Sequence, residues 1–227
     1  MRRAALAACL LAAAIAPSPA AAQSDPPRVL ATGDSMIQIV DSYLEQMLGA
    51  RAELRSDAHV STGLAKPWML DWPKYARKQA RRLKPGAVVM VIGANDGYSL
   101  DGAACCGSAW VDEYAERARA VMRAFGRRGQ TRVYWLLLPA AREGFFRKLF
   151  PAVNDALVKA AVGLEQNVRI VDLVKAFTPG GRYRARMKIK GRRVRVRQSD
   201  GVHLTNEGAA HVARLVIREM RRDGLLG

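Results

Sequence analysis

Three features of the sequence predict an α/β fold in which a central parallel sheet of about five strands is covered by helices on both faces. Short runs of apolar residues, rich in branched and aromatic side chains, recur along the chain, as in strands buried on both faces. Segments with helical spacing of apolar residues separate these runs, and this alternation indicates a parallel sheet. No repeat, linker or boundary interrupts the pattern, so a single domain is expected over residues 23–227.

The predicted elements follow in order along the chain. Four near-continuous apolar runs are predicted strands, at residues 28–32, 87–93, 132–139 and 168–173, and a weaker strand is predicted within residues 53–61. Helices are predicted at residues 36–48, 72–83, 111–125 and 145–164, the last with an irregularity near Pro151. Thr205 is a suitable N-cap for a final helix that ends near Arg222.

The first 22 residues have the layout of a secretory signal peptide. A short basic start precedes an apolar run at residues 4–16, which is too short to span a bilayer, and small residues stand at Ala20 and Ala22. Cleavage is expected after Ala22, so the protein is expected to be exported to the periplasm. A lipoprotein site at Cys9 is a weaker alternative, because it would leave a hydrophobic region of only five residues.

The composition is strongly basic. The chain has a formal net charge of +17, and loss of a signal peptide with two arginines and no acid leaves +15. This balance favours an anionic glycan or membrane surface as partner, whereas a nucleic-acid partner is not expected. No C-x-x-C or H-E-x-x-H spacing is present, so no metal site is predicted.

Cys105 and Cys106 are the two cysteines that follow the signal peptide, and they are adjacent. Neighbouring cysteines cannot staple distant parts of a chain, so we expect two small residues in a loop. Oxidation to a strained ring, or a cross-link to another chain, is the alternative for an exported protein.

Three segments at or after predicted strand ends carry candidate functional groups. In an open α/β sheet, ligands bind outside the carboxyl ends of the strands. Ser35 follows the first strand and is either a nucleophile or part of a helix cap with Asp34. Asn95 follows the central strand and could donate its amide to an oxyanion or form an Asx turn. Gly63 could present a backbone N–H to a ligand or form an ordinary turn.

The stretch Arg197 to Thr205 supplies the base that a serine nucleophile needs. His203 lies on a glycine-containing loop, three residues after Asp200. An imidazole can take the serine proton, and a carboxylate on its other nitrogen fixes the tautomer. The other two histidines, His59 in a predicted strand and His211 in the last helix, are expected to be structural.

The segments GDSM at Ser35, STGL at Gly63, GAND at Asn95 and DGVH at His203 resemble, in order, the four blocks of the SGNH, or GDSL-type, hydrolases. Met36 replaces the usual leucine after the serine. The resemblance implies a flavodoxin-like three-layer fold, with Ser35 as nucleophile, His203 as base and Asp200 as its orienter. It also implies an oxyanion hole formed by the N–H groups of Ser35 and Gly63 and the Asn95 side chain.

Further residues are similar to an exported bacterial subgroup of uncertain function. They are the DWP segment at residues 71–73, together with Trp110, Tyr114 and Arg117. The α/β-hydrolase alternative requires G-x-S-x-G, and the final glycine is missing after Ser35.

The expected function is cleavage of acyl esters through an acyl-enzyme, without a cofactor. An O-acyl group on envelope carbohydrate is a plausible substrate on grounds of compartment and analogy. A carbohydrate O-acyltransferase could use the same triad, and a non-catalytic protein that binds an envelope polyanion is a third reading.

Residues 182–197 alternate like a β-hairpin that turns at Lys190 and Gly191, and they hold nine basic residues and no acid. In this register Met187 faces Val194, and the basic pairs are Lys188 with Arg193, Arg186 with Arg195, and Arg184 with Arg197. Like charges opposite each other destabilise a sheet. The hairpin is therefore either a solvated face or an anion-binding surface made by Arg184, Arg186, Arg195 and Arg197.

Overall fold

The computed structural model describes residues 25–226, so the predicted signal peptide lies outside the described residues. The main sheet has five parallel strands in the order β2-β1-β3-β4-β5. The strands are β1 Arg28–Gly33, β2 Glu53–Ala58, β3 Ala87–Val91, β4 Arg132–Leu136 and β5 Val168–Val171. This arrangement confirms the predicted α/β fold, and its strand order is that of flavodoxin-like proteins.

Helices cover both faces of the sheet, and they are α1 Val40–Leu48, α2 Trp72–Leu83, α3 Ser108–Gly126, α4 Phe146–Ala161, α5 Leu173–Phe177 and α6 Asn206–Arg222. One helical layer pairs α1 with α6, and the other contains α2, α3 and α4, with α3 between its neighbours. The core between these layers includes every residue of β3, which explains its uninterrupted apolar sequence. Among the described residues, no helix is both long and apolar enough to cross a membrane.

Several predicted boundaries differ from the structure by a few residues, and two of these differences have a clear local cause. The first helix begins at Val40 rather than Met36, because residues 36–39 form turns and Ile39 has a φ of 70°. The last strand of the sheet ends at Val171, since the Asp172 side chain accepts the Lys175 N–H at 2.8 Å and caps α5. Pro151 lies inside α4, which continues past it.

Two further features stand apart from the main sheet. Strands β6 Arg186–Ile189 and β7 Arg192–Arg195 form the predicted hairpin, with Lys190 and Gly191 in the turn and Met187 opposite Val194. Cys105 and Cys106 are joined by a disulfide in the loop before α3, so the alternative of an oxidised pair describes the structure, and the expectation of two separate small residues does not.

Candidate active site

The candidate site lies where the strand order reverses, at the carboxyl ends of β1 and β3. Gly33 ends β1 so close to β3 that an added Cβ would lie 1.8 Å from the Val91 carbonyl oxygen. Its φ of 149° also disfavours other residues. The next residue, Asp34, donates its N–H to that oxygen at 3.0 Å. These contacts place Ser35 at the edge of the sheet, between β1 and the turns that lead into α1.

Asp34 is fully buried and fixes the backbone on either side of Ser35. Its carboxylate accepts the N–H groups of Met36 at 2.8 Å, Gly93 at 3.0 Å and Ala94 at 3.0 Å. Burial raises the pKa of Asp34 to about 6, against the lowering effect of these donors. The carboxylate therefore ties the loop after β1 to the loop after β3, which carries Asn95.

Ser35, His203 and Asp200 lie in one hydrogen-bonded line. The Ser35 hydroxyl lies 2.9 Å from His203 Nε2, and His203 Nδ1 lies 2.7 Å from Asp200 Oδ2. With the proton on Nδ1, this nitrogen donates to the carboxylate and Nε2 accepts from the serine. This tautomer is the one that a general base requires.

The loop that carries His203 is held in place by its own backbone. Asp200 Oδ1 accepts the N–H groups of Val202 at 2.8 Å and His203 at 3.0 Å. Burial acts to raise the pKa of Asp200, but the His203 ring and these two N–H groups together lower it below its usual range. Asp200 therefore remains a carboxylate when the solution is neutral or mildly acidic.

Gly63 and Asn95 lie on neighbouring loops, after β2 and β3. The Asn95 side-chain amide donates to the Thr62 carbonyl at 3.1 Å, so it lies beside the peptide that leads into Gly63. A Cβ added to Gly63 would lie 2.0 Å from the Asp96 carboxylate. Glycine is required here by this close approach and not by its backbone angles.

Asp96, which the sequence pattern does not mark as catalytic, joins the Gly63 and Asn95 loops. It is completely buried and accepts the Ala65 N–H at 2.7 Å and the Tyr114 hydroxyl at 2.7 Å. Burial raises the pKa of Asp96 to about 6, despite these donors. A buried carboxylate thus holds the two loops in a fixed relation.

Side chains of helix α3 form hydrogen bonds to the loops that carry Gly63 and Asn95. Trp110 donates its indole N–H to the Tyr98 carbonyl at 2.8 Å, and Tyr114 bonds to Asp96. Arg117 donates to the Leu64 carbonyl at 3.3 Å. These residues stand four and three positions apart, so they share one face of the helix. This spacing is visible in the sequence, and it indicates that the three subgroup residues contact the same part of the molecule.

The other two histidines lie away from the Ser35 line. His59 packs edge-on against Trp72 and Tyr75, with ring centroids 5.6 Å and 4.7 Å apart, and its Nε2 lies 3.4 Å from Asp57. His211, on α6, packs edge-on against Phe177 at the end of α5. No group of three or more potential metal ligands occurs in residues 25–226.

The four basic residues predicted to form an anion-binding surface separate into two environments. Arg184, Arg186 and Arg195 are exposed, whereas Arg197 is only 1% exposed. Arg197 donates to the Gly201 carbonyl at 3.2 Å and packs over the Tyr183 ring. The expectation that Arg197 faces an anion in solvent is therefore corrected, because strand β7 ends at Arg195 and the chain turns inward.

Residues 28–219 match the model of a family described as protein of unknown function, DUF459. The chain belongs to this family. No protein with curated annotation matches the chain in sequence.

Several solved structures share the fold of this DUF459 member. A variant of an acetyl xylan esterase from Geobacillus stearothermophilus has a TM-score of 0.61 and 18% identity, over 86% of this chain and 94% of that chain. A GDSL-like lipase from Bacteroides thetaiotaomicron has a TM-score of 0.56 and 16% identity, over 89% and 94%. The catalytic domain of peptidoglycan O-acetyltransferase A from Streptococcus pneumoniae has a TM-score of 0.56 and 13% identity, over 90% and 98%. These likenesses confirm the resemblance to GDSL-type hydrolases at the level of the fold.

Proposed function

We propose that this protein is an exported serine esterase that cleaves acyl esters, with Ser35 as nucleophile, His203 as general base and Asp200 as the group that orients the base. The observation that carries the proposal is the line from Ser35 Oγ to His203 Nε2 at 2.9 Å and from His203 Nδ1 to Asp200 at 2.7 Å. Both distances suit proton transfer from the serine as it attacks a carbonyl carbon.

In this mechanism the Ser35 oxygen bonds to the acyl carbon while its proton passes to His203 Nε2. The negative charge that develops on the carbonyl oxygen is stabilised by the N–H groups of Ser35 and Gly63 and by the Asn95 amide. Asn95 Nδ2 carries two N–H groups, and its bond to the Thr62 carbonyl uses one of them. His203 then returns its proton to the leaving alcohol, and a water molecule repeats the sequence to release the acid.

We propose O-acyl groups on envelope carbohydrate as the substrate class. The support is the fold likeness to an acetyl xylan esterase and to a peptidoglycan O-acetyltransferase, each of which is named for a carbohydrate substrate. The likeness to the transferase also favours a second candidate, in which a sugar hydroxyl replaces water as acceptor. Analysis of products with and without a carbohydrate acceptor distinguishes hydrolysis from transfer.

The decisive experiment uses an organophosphorus ester, which labels an activated serine. The wild-type protein should gain one adduct on Ser35, and Ser35→Ala should gain none and lose ester hydrolysis by about 10³-fold or more. Ser108→Ala is the matched control, because Ser108 is exposed at the start of α3. Retention of most of the activity in Ser35→Ala would remove Ser35 from the mechanism.

Two further properties follow from the proposal. Hydrolysis should decline in acidic solution, because a protonated imidazole cannot accept the Ser35 proton. A flat rate profile from acidic to neutral solution, with chemistry rate-limiting, would contradict His203 as base.

Export through the signal peptide should yield a mature protein that begins at Gln23, and mass spectrometry of the exported protein checks this.

A further inference from the structure

Large exposed aromatic side chains cluster around the loops of the candidate site. The three most exposed aromatic side chains of residues 25–226 are Trp68 at 65%, Phe145 at 48% and Tyr98 at 47%. They follow β2, β4 and β3 respectively, so all three lie on loops at the carboxyl edge of the sheet. Exposed apolar surface costs free energy and, when it is grouped, marks a binding surface.

Trp68 and Tyr98 form a pair on the two loops that carry the proposed oxyanion donors. Their ring centroids lie 5.2 Å apart and their planes are at 81°. Trp68 follows Gly63 by five residues, and Tyr98 follows Asn95 by three. The Lys66 N–H donates to the Gly63 carbonyl at 3.2 Å, and the Met69 N–H donates to the Lys66 carbonyl at 3.0 Å. Consecutive turns therefore connect the oxyanion loop directly to Trp68.

Two buried residues hold Tyr98 in place. The Tyr98 carbonyl accepts the indole N–H of Trp110, which is fully buried. The Lys66 ammonium lies 5.4 Å from the centre of the Tyr98 ring, and this lysine is only 8% exposed. A cation over the ring face is attracted to it, and Tyr98 nevertheless keeps 47% of its surface exposed to solvent. Tyrosine and tryptophan have few rotatable bonds, so these side chains lose little entropy when they bind a ligand.

We infer that Trp68 and Tyr98 form a subsite that stacks against a sugar ring of the substrate, next to the acyl group that Ser35 attacks. The inference rests on the proposed function of the same site. An aromatic face carries partial negative charge, which complements the C–H groups on the face of a pyranose ring. The hydroxyl groups of the sugar remain free to meet water or polar neighbours such as the exposed Ser61 and Ser99.

An acyl chain fits this surface less well than a sugar does. A long acyl chain gains most from a concave aliphatic cavity, whereas Trp68 stands outward and its partner in the pair is another aromatic ring. Two exposed serines also lie near the pair, Ser99 next to Tyr98 and Ser61, whose carbonyl accepts the Lys66 ammonium, and their hydroxyl groups match a polyhydroxylated ligand.

The first test measures binding without turnover. Trp72, Trp110 and Trp135 are buried, so Trp68 is the one exposed tryptophan within residues 25–226 and its fluorescence reports on this surface. The mature Ser35→Ala protein is titrated with xylohexaose and with chitohexaose. Saturable movement of the emission to shorter wavelength with at least one of them is expected, and Trp68→Phe in the same background should abolish it. Failure of both saccharides to change the emission overturns the inference.

The second test separates the sugar from the acyl group. In the otherwise wild-type protein, Trp68→Ala should raise the KM for an acetylated xylo-oligosaccharide by about tenfold, which corresponds to the loss of one aromatic contact. The rate with 4-nitrophenyl acetate should stay within about twofold, since that ester has no sugar. Val162→Ala, which removes an exposed side chain at the end of α4, is the control and should change neither rate.

The remaining outcomes have distinct meanings. Equal losses with both esters would make Trp68 a structural residue, and a selective loss with 4-nitrophenyl octanoate would make the surface an acyl-chain site; either result overturns the inference. Absence of labelling and of turnover would refute the proposed function, while the saccharide titration would still decide whether this surface binds sugar.

Discussion

Replacement of Tyr114 by phenylalanine tests the buried contact that joins the two proposed oxyanion loops. The change removes only the hydroxyl that donates to Asp96 at 2.7 Å and leaves the ring in place. Asp96 is completely buried, so water does not readily replace the lost donor. A hydrogen bond to a charged group contributes about 1.5–3 kcal/mol to stability. For a chain of this size, we expect the melting temperature to fall by roughly 4–10 °C near neutral pH.

The size of this loss should depend on pH. Burial raises the pKa of Asp96 from 3.8 to about 6 in the folded protein. The folded state therefore binds this proton more tightly than the unfolded state does. As the pH rises from 3.8 to about 6, ionisation of Asp96 lowers the free energy of unfolding. Below about pH 5 the Asp96 carboxyl of the folded protein is mostly neutral. The hydrogen bond from Tyr114 then joins two neutral groups, and such a bond contributes about 1 kcal/mol. The cost of Tyr114→Phe should thus shrink to about 1 kcal/mol in acid.

Urea denaturation of wild type and variant at about pH 5 and about pH 7.5 measures both free energies of unfolding. Tyr75→Phe is the matched control, because it removes a hydroxyl that donates to Asp57 at 2.9 Å, and the Asp57 side chain is 25% exposed. We expect the control to lose less stability near neutral pH, since water can reach Asp57. An equal loss for Tyr114→Phe at both pH values, or a larger loss in acid, would refute a buried carboxylate at Asp96.

Two other predictions concern neighbouring features. Gly63→Ala should reduce both stability and ester hydrolysis, because the new Cβ would lie 2.0 Å from the Asp96 carboxylate, whereas the control Gly107→Ala meets nothing within 4 Å. Thermal denaturation and kinetics check this, and a fully active Gly63→Ala would contradict the packing. Glutamine at Arg184, Arg186 and Arg195 should weaken binding to an acidic polysaccharide, and wild-type binding should fall with added salt. Equal, salt-insensitive retention would identify the hairpin as a solvated face.

The sequence signal for a strand is clearest where burial is most complete. Strand β3 is buried along its whole length, and an uninterrupted apolar run is sufficient to identify such a strand. Strand β2 is an edge strand that pairs only with β1, and its residues are half-buried or exposed. Its sequence therefore carries less of the signal. The first helix begins late because Ser35 and Met36 belong to the turns after β1, which helical periodicity does not distinguish from a first helical turn.

The structure brings together the residues that the four sequence motifs indicate. The buried aspartates that support their loops are harder to recognise from the sequence. Asp34 and Asp96 each follow a strand end, where an aspartate commonly caps a helix or forms a turn. Asp34 does accept the local Met36 N–H, but the other partners of these two residues are backbone groups and a tyrosine on other elements, up to 60 residues away in the chain. Local pattern cannot reveal such contacts, because they depend on which loops the sheet order places side by side.

Arg197 shows the same limit for the basic hairpin. Alternation along residues 182–197 assigns Arg197 to the face of Arg184, but alternation does not indicate where a strand ends. Strand β7 ends at Arg195, and Arg197 instead pairs with Leu204 in an isolated bridge.

The guanidinium of Arg197 therefore lies beneath the loop of His203. Burial lowers its pKa to about 10, although Tyr183 and Asp200 act in the opposite direction, so it stays charged and its donors need acceptors. It donates to the carbonyl of Gly201, which lies between Asp200 and His203 in the chain. Replacement of all four arginines together would disturb this loop and an outward cationic surface at once. The binding test must therefore leave Arg197 intact, because only then does a loss of anion binding report on the hairpin surface.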